Sequence, residues 1–233
     1  MSTLHGPTHM IDDAERFLVD RLALRRVDLP SEFGTAYGQW KAEAVTIRTR
    51  AYDGGVVRYS RFVTVEGAGL LIGNLLILAH PNYSLPILGA DVVALGERPT
   101  MVAVDLSPAF PVGPARTAMD AAVGAALVPR PQLPTGGELP EWCAALFSPH
   151  ALYTRVHAVD SEKAAAAFRD YPEAFVSLVR QAEPRPDLAG TVRNGQGAYA
   201  AAHRLDDKGL GLLGRMFGKD WAERYLNEVL FPS

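Results

Sequence analysis

Between residues 44 and 106 the chain alternates runs rich in β-formers with glycine-bearing turns, and no other feature limits the fold as much. Ala44 to Tyr52, Val56 to Val65 and Leu70 to Ala79 read as successive strands, because Asp53-Gly54-Gly55 and Glu66-Gly67-Ala68-Gly69 supply hairpin turn chemistry between them. Val92 to Leu95 and Thr100 to Leu106 extend the set, with Gly96 to Pro99 as the turn and Pro108 ending the last strand. Together they form an antiparallel meander. Before it, Asp12 to about Arg25 has apolar residues at helical spacing, closed by Pro30. After it, Ser107 to Pro140 is a Pro-, Gly- and Ala-rich, partly helical excursion. A short segment at Leu152 to Val156 follows, then helices at Ser161 to Arg169, Pro172 to Ala182, Asp207 to Phe217 and Lys219 to Leu230. The order helix, sheet, helices contains no βαβ alternation, so the expectation is an α+β domain with an antiparallel sheet covered by helices.

The length of 233 residues fits a single domain over 1–233, with residues 1–11 expected to be flexible. A net charge of −3 gives no basic footprint for nucleic acid. The longest apolar run, Leu70 to Ala79, is too short to span a bilayer, and His5, His9, Asp12 and Asp13 stand where a signal peptide needs an apolar run. With one cysteine, Cys143, there is neither an internal disulfide nor a cysteine zinc site, which fits a cytoplasmic setting.

Few strings carry chemistry. Gly209-Leu-Gly211-Leu-Leu-Gly214 spells the dinucleotide fingerprint but lacks a preceding strand and a later ribose-binding acid, so it reads as a glycine-loosened helix start. The six histidines have no metal-site spacing, and there is no nucleophile elbow or phosphate loop. Asn74 interrupts an apolar strand, either as a hydrogen-bonded core amide or as an amide aimed into a ligand cavity. Asp91, at the start of another apolar stretch, is either a turn residue or a carboxyl poised for proton donation. Asp206 and Asp207 suit helix N-capping, with Lys208 in the first turn. Tyr199, His203, Arg204 and Asp207 would share one face of a helix that began earlier.

Three stretches, taken in order, resemble the ferredoxin-dependent bilin reductase family. They are Pro81-Asn-Tyr-Ser-Leu-Pro-Ile-Leu-Gly-Ala-Asp91 with Val102 to Pro108; Leu139-Pro-Glu-Trp142 with Leu146-Phe-Ser-Pro149 and Arg155; and Asp206-Asp-Lys208 with Phe217 to Tyr225 and Glu228 to Phe231. The resemblance implies a three-layer α/β/α sandwich holding an open-chain tetrapyrrole, biliverdin IXα, between the sheet and the C-terminal helices. It implies no bound flavin, nicotinamide or metal, with reduced ferredoxin as external electron donor and a phytochrome or phycobiliprotein as acceptor of the bilin. By position, Asp91 is similar to the family's central proton donor and Asp207 to its C-terminal aspartate for the A-ring. Asn74 stands where phycocyanobilin-forming members carry a histidine. Those members also carry an upstream glutamate, whereas Tyr59-Ser-Arg-Phe-Val63 here holds no acid. Thr100 and Lys208 match propionate contacts, with Arg204 or Arg155 replacing a further arginine lost near Gly136-Gly137. His80 is the first candidate for any exovinyl proton. The implied reaction is reduction of the A-ring diene, with or without the C15–C16 bridge, to phycoerythrobilin or phytochromobilin. Alternatives are a phycocyanobilin-forming enzyme, a non-catalytic bilin carrier of the same fold, or an unrelated α+β binding domain.

Overall fold

Hairpin turns close where the glycines stand. Gly55 and Gly69 take left-handed φ of 54° and 66° in open space, conformations that cost a residue with a Cβ but not glycine. In the computed structural model, which describes residues 9–96, 98–128, 133–139, 141–205 and 207–232 apart from the side chains of 144, 207 and 208, these turns connect the central strands of an eight-stranded sheet. Chain order begins with α1 (Met10–Arg21), β1 (Arg25–Val27), α2 (Ser31–Gly34) and β2 (Thr35–Trp40). The meander is β3 (Glu43–Gly54), β4 (Val57–Gly67), β5 (Leu70–Ala79), β6 (Ile87–Leu95) and β7 (Arg98–Ser107). Then come α3 (Pro114–Ala126), α4 (Glu141–Ala144), β8 (Leu152–Arg155), α5 (Ser161–Gln181), α6 (Ala189–Leu205), α7 (Asp207–Phe217), α8 (Lys219–Tyr225) and a π-helical turn, Leu226–Leu230.

Every pairing is antiparallel, in the order β1-β3-β4-β5-β6-β7-β8, with β2 also paired to β3. Helices α1, α3 and α5 cover one face, and α6, α7, α8 and the π turn cover the other. The result is the expected α/β/α sandwich. Most of the buried apolar side chains, among them Leu75, Ile77, Leu88, Val92 and Phe175, form one core cluster shared by the sheet and α5.

Several local expectations need correction. The first helix does not reach Arg25: it ends at Arg21, Ala23 turns the chain with φ 49°, and Arg25 enters β1. The elements α2, β2 and α6 carried no sequence signal strong enough to be read. Strand β6 starts at Ile87, so Asp91 stands mid-strand, not at its entry. Ser161 to Gln181 is one helix through Pro172, because Phe168, Tyr171, Phe175 and Val176 bury a continuous face whose packing outweighs the single missing N–H. Met10 and Ile11, placed in the flexible tail by the sequence, are 4 % and 2 % exposed.

Ile11 explains Gly73. A Cβ built on Gly73 would lie 2.5 Å from Ile11 Cγ1, so the strand surrenders a side chain to let α1 approach. Gly73→Ala should lower stability by about 1–3 kcal/mol through overpacking. Denaturant unfolding of Gly73→Ala, Ile11→Ala and the double variant should show the double costing less than the sum of the singles, because the truncated Ile11 no longer collides.

Candidate active site

Antiparallel register aligns residues from distant parts of the chain into rows. Thr49, Val63, Asn74, Asp91, Ala103 and Tyr153 stand directly opposite one another across β3 to β8. A second row, Ala51, Arg61, Leu76, Gly89 and Asp105, lies two residues along. Since side chains alternate across a strand, both rows face the same way, toward α6 to α8. Neighbours in one row fall within hydrogen-bonding reach. Asn74 Nδ2 donates to Asp91 Oδ1 at 2.6 Å, and from the diagonal position Arg61 Nη1 donates to Asn74 Oδ1.

These rows floor a cavity of about 330 Å³, within the usual range for small-molecule sites. Its lining runs from Ile47 on β3 to Tyr153 on β8, a breadth of about 24 Å at the usual spacing of neighbouring strands. Such a slot suits an extended flat ligand. Its roof is apolar: Leu210, Leu212 and Leu213 from α7, Tyr225 and Leu226 from α8 and the π turn, and Phe231 beyond it. Trp142, Cys143 and Phe147 form a side wall. That wall is tied to the sheet by Asp105, which accepts from Ser148 N at 2.8 Å, Ser148 Oγ at 2.5 Å and Ser107 Oγ at 2.7 Å. Burial pushes the Asp105 carboxyl up, and these donors pull it partly back.

Arg61 is the side chain that sequence reasoning missed. It is 1 % exposed, its Nε donates to the Leu230 carbonyl at 2.7 Å, and its guanidinium lies 5.2 Å from the centre of the Phe231 ring. The π turn ends there, so its carbonyls present the negative end of a helix to the cation. Tyr59 Oη donates to the neighbouring Val229 carbonyl at 2.6 Å. The signal was an arginine inside an otherwise β-patterned strand, at an interval of two from Val63 and so on the cavity face. Burial, followed by the nearby Arg61 charge, drops His203 to about 3, so the imidazole is neutral at ordinary pH. Its Nε2 is buried and makes no hydrogen bond among the described residues, while its ring packs between Trp142 at 4.6 Å and Phe231 at 4.9 Å. Burial, then the Asp91 charge, raises Tyr199 and keeps its phenol protonated.

Of the residues picked from sequence, Asn74, Asp91 and His203 meet in the cavity. Asp206 lies outside the described residues, as do the side chains of Asp207 and Lys208; the backbone begins α7 at Asp207. Thr100 does not line the cavity, because its hydroxyl is turned to the Val93 carbonyl at 3.1 Å. His80 is exposed in the turn after β5, and Arg155 is exposed on β8. Arg204 faces the far side of Phe231, where it donates to that residue's carbonyl and joins Arg58 and Arg193 around a separate cavity of about 230 Å³. Among the described residues no group of three or more His, Cys, Asp or Glu could hold a metal. The Gly209–Gly214 string lies inside α7, which follows a helix rather than a strand.

The profile of the ferredoxin-dependent bilin reductases matches residues 11–232. The chain belongs to that family. It is 31% identical to a phycoerythrobilin:ferredoxin oxidoreductase of Gloeobacter violaceus, over 98% of this chain and 95% of the relative. It is 30% identical to a phycocyanobilin:ferredoxin oxidoreductase of Prochlorococcus marinus, over 93% of this chain and 85% of the relative. Its fold is similar to that of phytochromobilin synthase from tomato, crystallised with biliverdin, with a TM-score of 0.80 and 21% identity over 95% of this chain and 81% of that one. The chain is thus a bilin-reducing enzyme of a family whose electron donor is ferredoxin. Among the described residues no helix is long and apolar enough to cross a membrane.

The neutral His203 has a measurable consequence. An unfolded bilin reductase chain protonates this imidazole below its ordinary 6.5, while the folded chain resists until about 3. The unfolded state therefore binds more protons in that window, and stability falls as pH drops through it. Chemical denaturation of His203→Phe from pH 7 to pH 4 should show a slope shallower than wild type by up to about 1 kcal/mol per pH unit.

Proposed function

We propose that this enzyme reduces biliverdin IXα at the A-ring diene, with or without the C15–C16 bridge, giving phycoerythrobilin or phytochromobilin with the D-ring vinyl group intact. The observation that carries the reading is the population of the cavity. Asp91 is the one carboxylate among its described lining residues, and the β4 position that faces it diagonally is an arginine. A guanidinium gives up no proton in a protein and an amide has none to give near neutral pH, so neither Arg61 nor Asn74 substitutes for an acid. Proton donation falls to Asp91 at the floor and to Asp207 at the head of α7.

Each double bond takes two electrons and two protons. For each bond two reduced ferredoxins supply the electrons singly, and Asp91 protonates the bilin after an electron has entered, being reprotonated from solvent between proton transfers. Asn74 holds the Asp91 carboxyl by its 2.6 Å hydrogen bond, so the donor's direction is fixed before substrate arrives. The apolar roof shields radical intermediates from side reactions. The relatives carry both phycoerythrobilin and phycocyanobilin names, and the absence of an acid at Arg61 favours the former. A phytochrome or phycobiliprotein would then take up the product.

Anaerobic turnover of biliverdin with reduced ferredoxin, followed by absorbance and product chromatography, tests the reading. Asp91→Asn should bind biliverdin nearly as well as wild type but accumulate a persistent radical, with turnover reduced about 10²–10⁴-fold, the usual worth of a positioned acid. Asp207→Asn should block the A-ring step and, where the bridge is reduced first, release the two-electron product. Phycocyanobilin as the main wild-type product, or ordinary turnover by Asp91→Asn, would overturn the respective part.

A further inference from the structure

The proton chemistry makes no use of Arg61. Desolvating a guanidinium is costly, and a buried cation normally recovers this from a carboxylate in contact. Among the described residues no acid forms an ion pair with Arg61. Its hydrogen bonds go to the Leu230 carbonyl and to Asn74, and the Asp91 carboxyl is joined to it through that amide. Two of its five N–H bonds are thereby used, and Nη2 finds no acceptor among the described residues. The group lines the cavity. A fixed positive charge with spare donors, set among apolar side chains, is arranged for something negative that is not part of the protein.

A bilin becomes negative at a definite moment. The first electron converts the neutral conjugated tetrapyrrole to a radical anion, whose charge spreads onto the terminal lactam oxygens. Under an apolar roof that charge is poorly solvated, and a pre-oriented donor is worth more there than in solution. The same cation opposes a bilin protonated before reduction, which would place two positive charges together.

We propose that Arg61 is a catalytic residue of the reduction, donating a hydrogen bond to a lactam oxygen of the bound bilin and stabilising the radical anion formed by the first electron, so that electron transfer precedes proton transfer. This rests on the reading that biliverdin is the substrate. In the first half-step one reduced ferredoxin is oxidised and the bilin gains its electron. Asp91 then gives its proton to form the neutral radical. A second reduced ferredoxin and a second proton, from Asp207 or from Asp91 once reprotonated from solvent, complete the two-electron reduction.

The test uses full-length wild type, Arg61→Lys, Arg61→Gln and Arg61→Met, each checked for folding by thermal melting and for biliverdin binding by absorbance. Wild type should bind biliverdin in its neutral form; a protonated, red-shifted bilin in the resting complex would overturn the proposal without any variant. By spectroelectrochemistry the first one-electron reduction of bound bilin should move to more negative potential in Arg61→Gln, with kcat down about 10²-fold, the usual loss on removing one donor to a developing oxyanion. Arg61→Lys, which keeps the charge, should retain most of both. Arg61→Met preserves apolar contact with Phe231 and serves if Arg61→Gln does not fold. Wild-type potential and kcat in a folded Gln or Met variant would reduce Arg61 to a structural role. Failure of wild type to reduce biliverdin would instead remove the substrate reading, so the two failures are told apart.

Discussion

Antiparallel register is the constraint on which the rest depends. Once β4, β5 and β6 pair as they do, Arg61, Asn74 and Asp91 lie on one face within reach of one another, although the chain leaves the sheet between Ala79 and Ile87. Local sequence does not bring them together; the hydrogen-bond ladder does. The same ladder puts Gly73 on the opposite face, where α1 presses on it, so β5 carries chemistry on one side and close helix packing on the other.

Charge in the cavity is arranged economically. A carboxyl and a guanidinium are joined by an amide that donates to the first and accepts from the second. The C-terminal carbonyls of the π turn complete the cation's surroundings. Around this group the titratable side chains are locked into neutral forms: His203 by burial and by the Arg61 charge, Tyr199 by burial and by the Asp91 charge, and Tyr225 by burial despite its 2.6 Å hydrogen bond with Thr49. Protons therefore move at few places. This suits one-electron chemistry, in which a misplaced proton diverts a radical.

The meander was legible because its turns are local: glycines in Asp53-Gly54-Gly55 and Gly67-Ala68-Gly69 announce hairpins whatever the rest of the chain does. The pairing of Asn74 with Asp91 had no such local signal, since the connection between Ala79 and Ile87 carries no glycine turn; only the family resemblance pointed to it. Arg61 could not be anticipated. An arginine in a strand ordinarily reads as a solvated residue, and its burial depends on the π turn and Phe231, which arrive from the far end of the chain. Arg204 failed in the opposite sense: helical spacing put it near His203, but one residue along a helix turns a side chain by about 100°, which was enough to send it behind Phe231. Pro172 misled because local rules stop a helix at proline, whereas the buried face of α5 carries the helix through. The glycine fingerprint fails on context: Gly209 to Gly214 lie inside α7, which follows a helix and not a strand.

The two-faced character of β5 also limits how the chain can change in length. Insertion of one residue before Asn74 within the strand would turn the amide toward Ile11 and present the glycine to the ligand, exchanging the roles of the two faces at once. Insertion of the same residue in the connection between Ala79 and Ile87 would leave every row intact. Growth and loss of sequence in a protein of this design must therefore be taken up in its connections, while the strands keep their length to the residue.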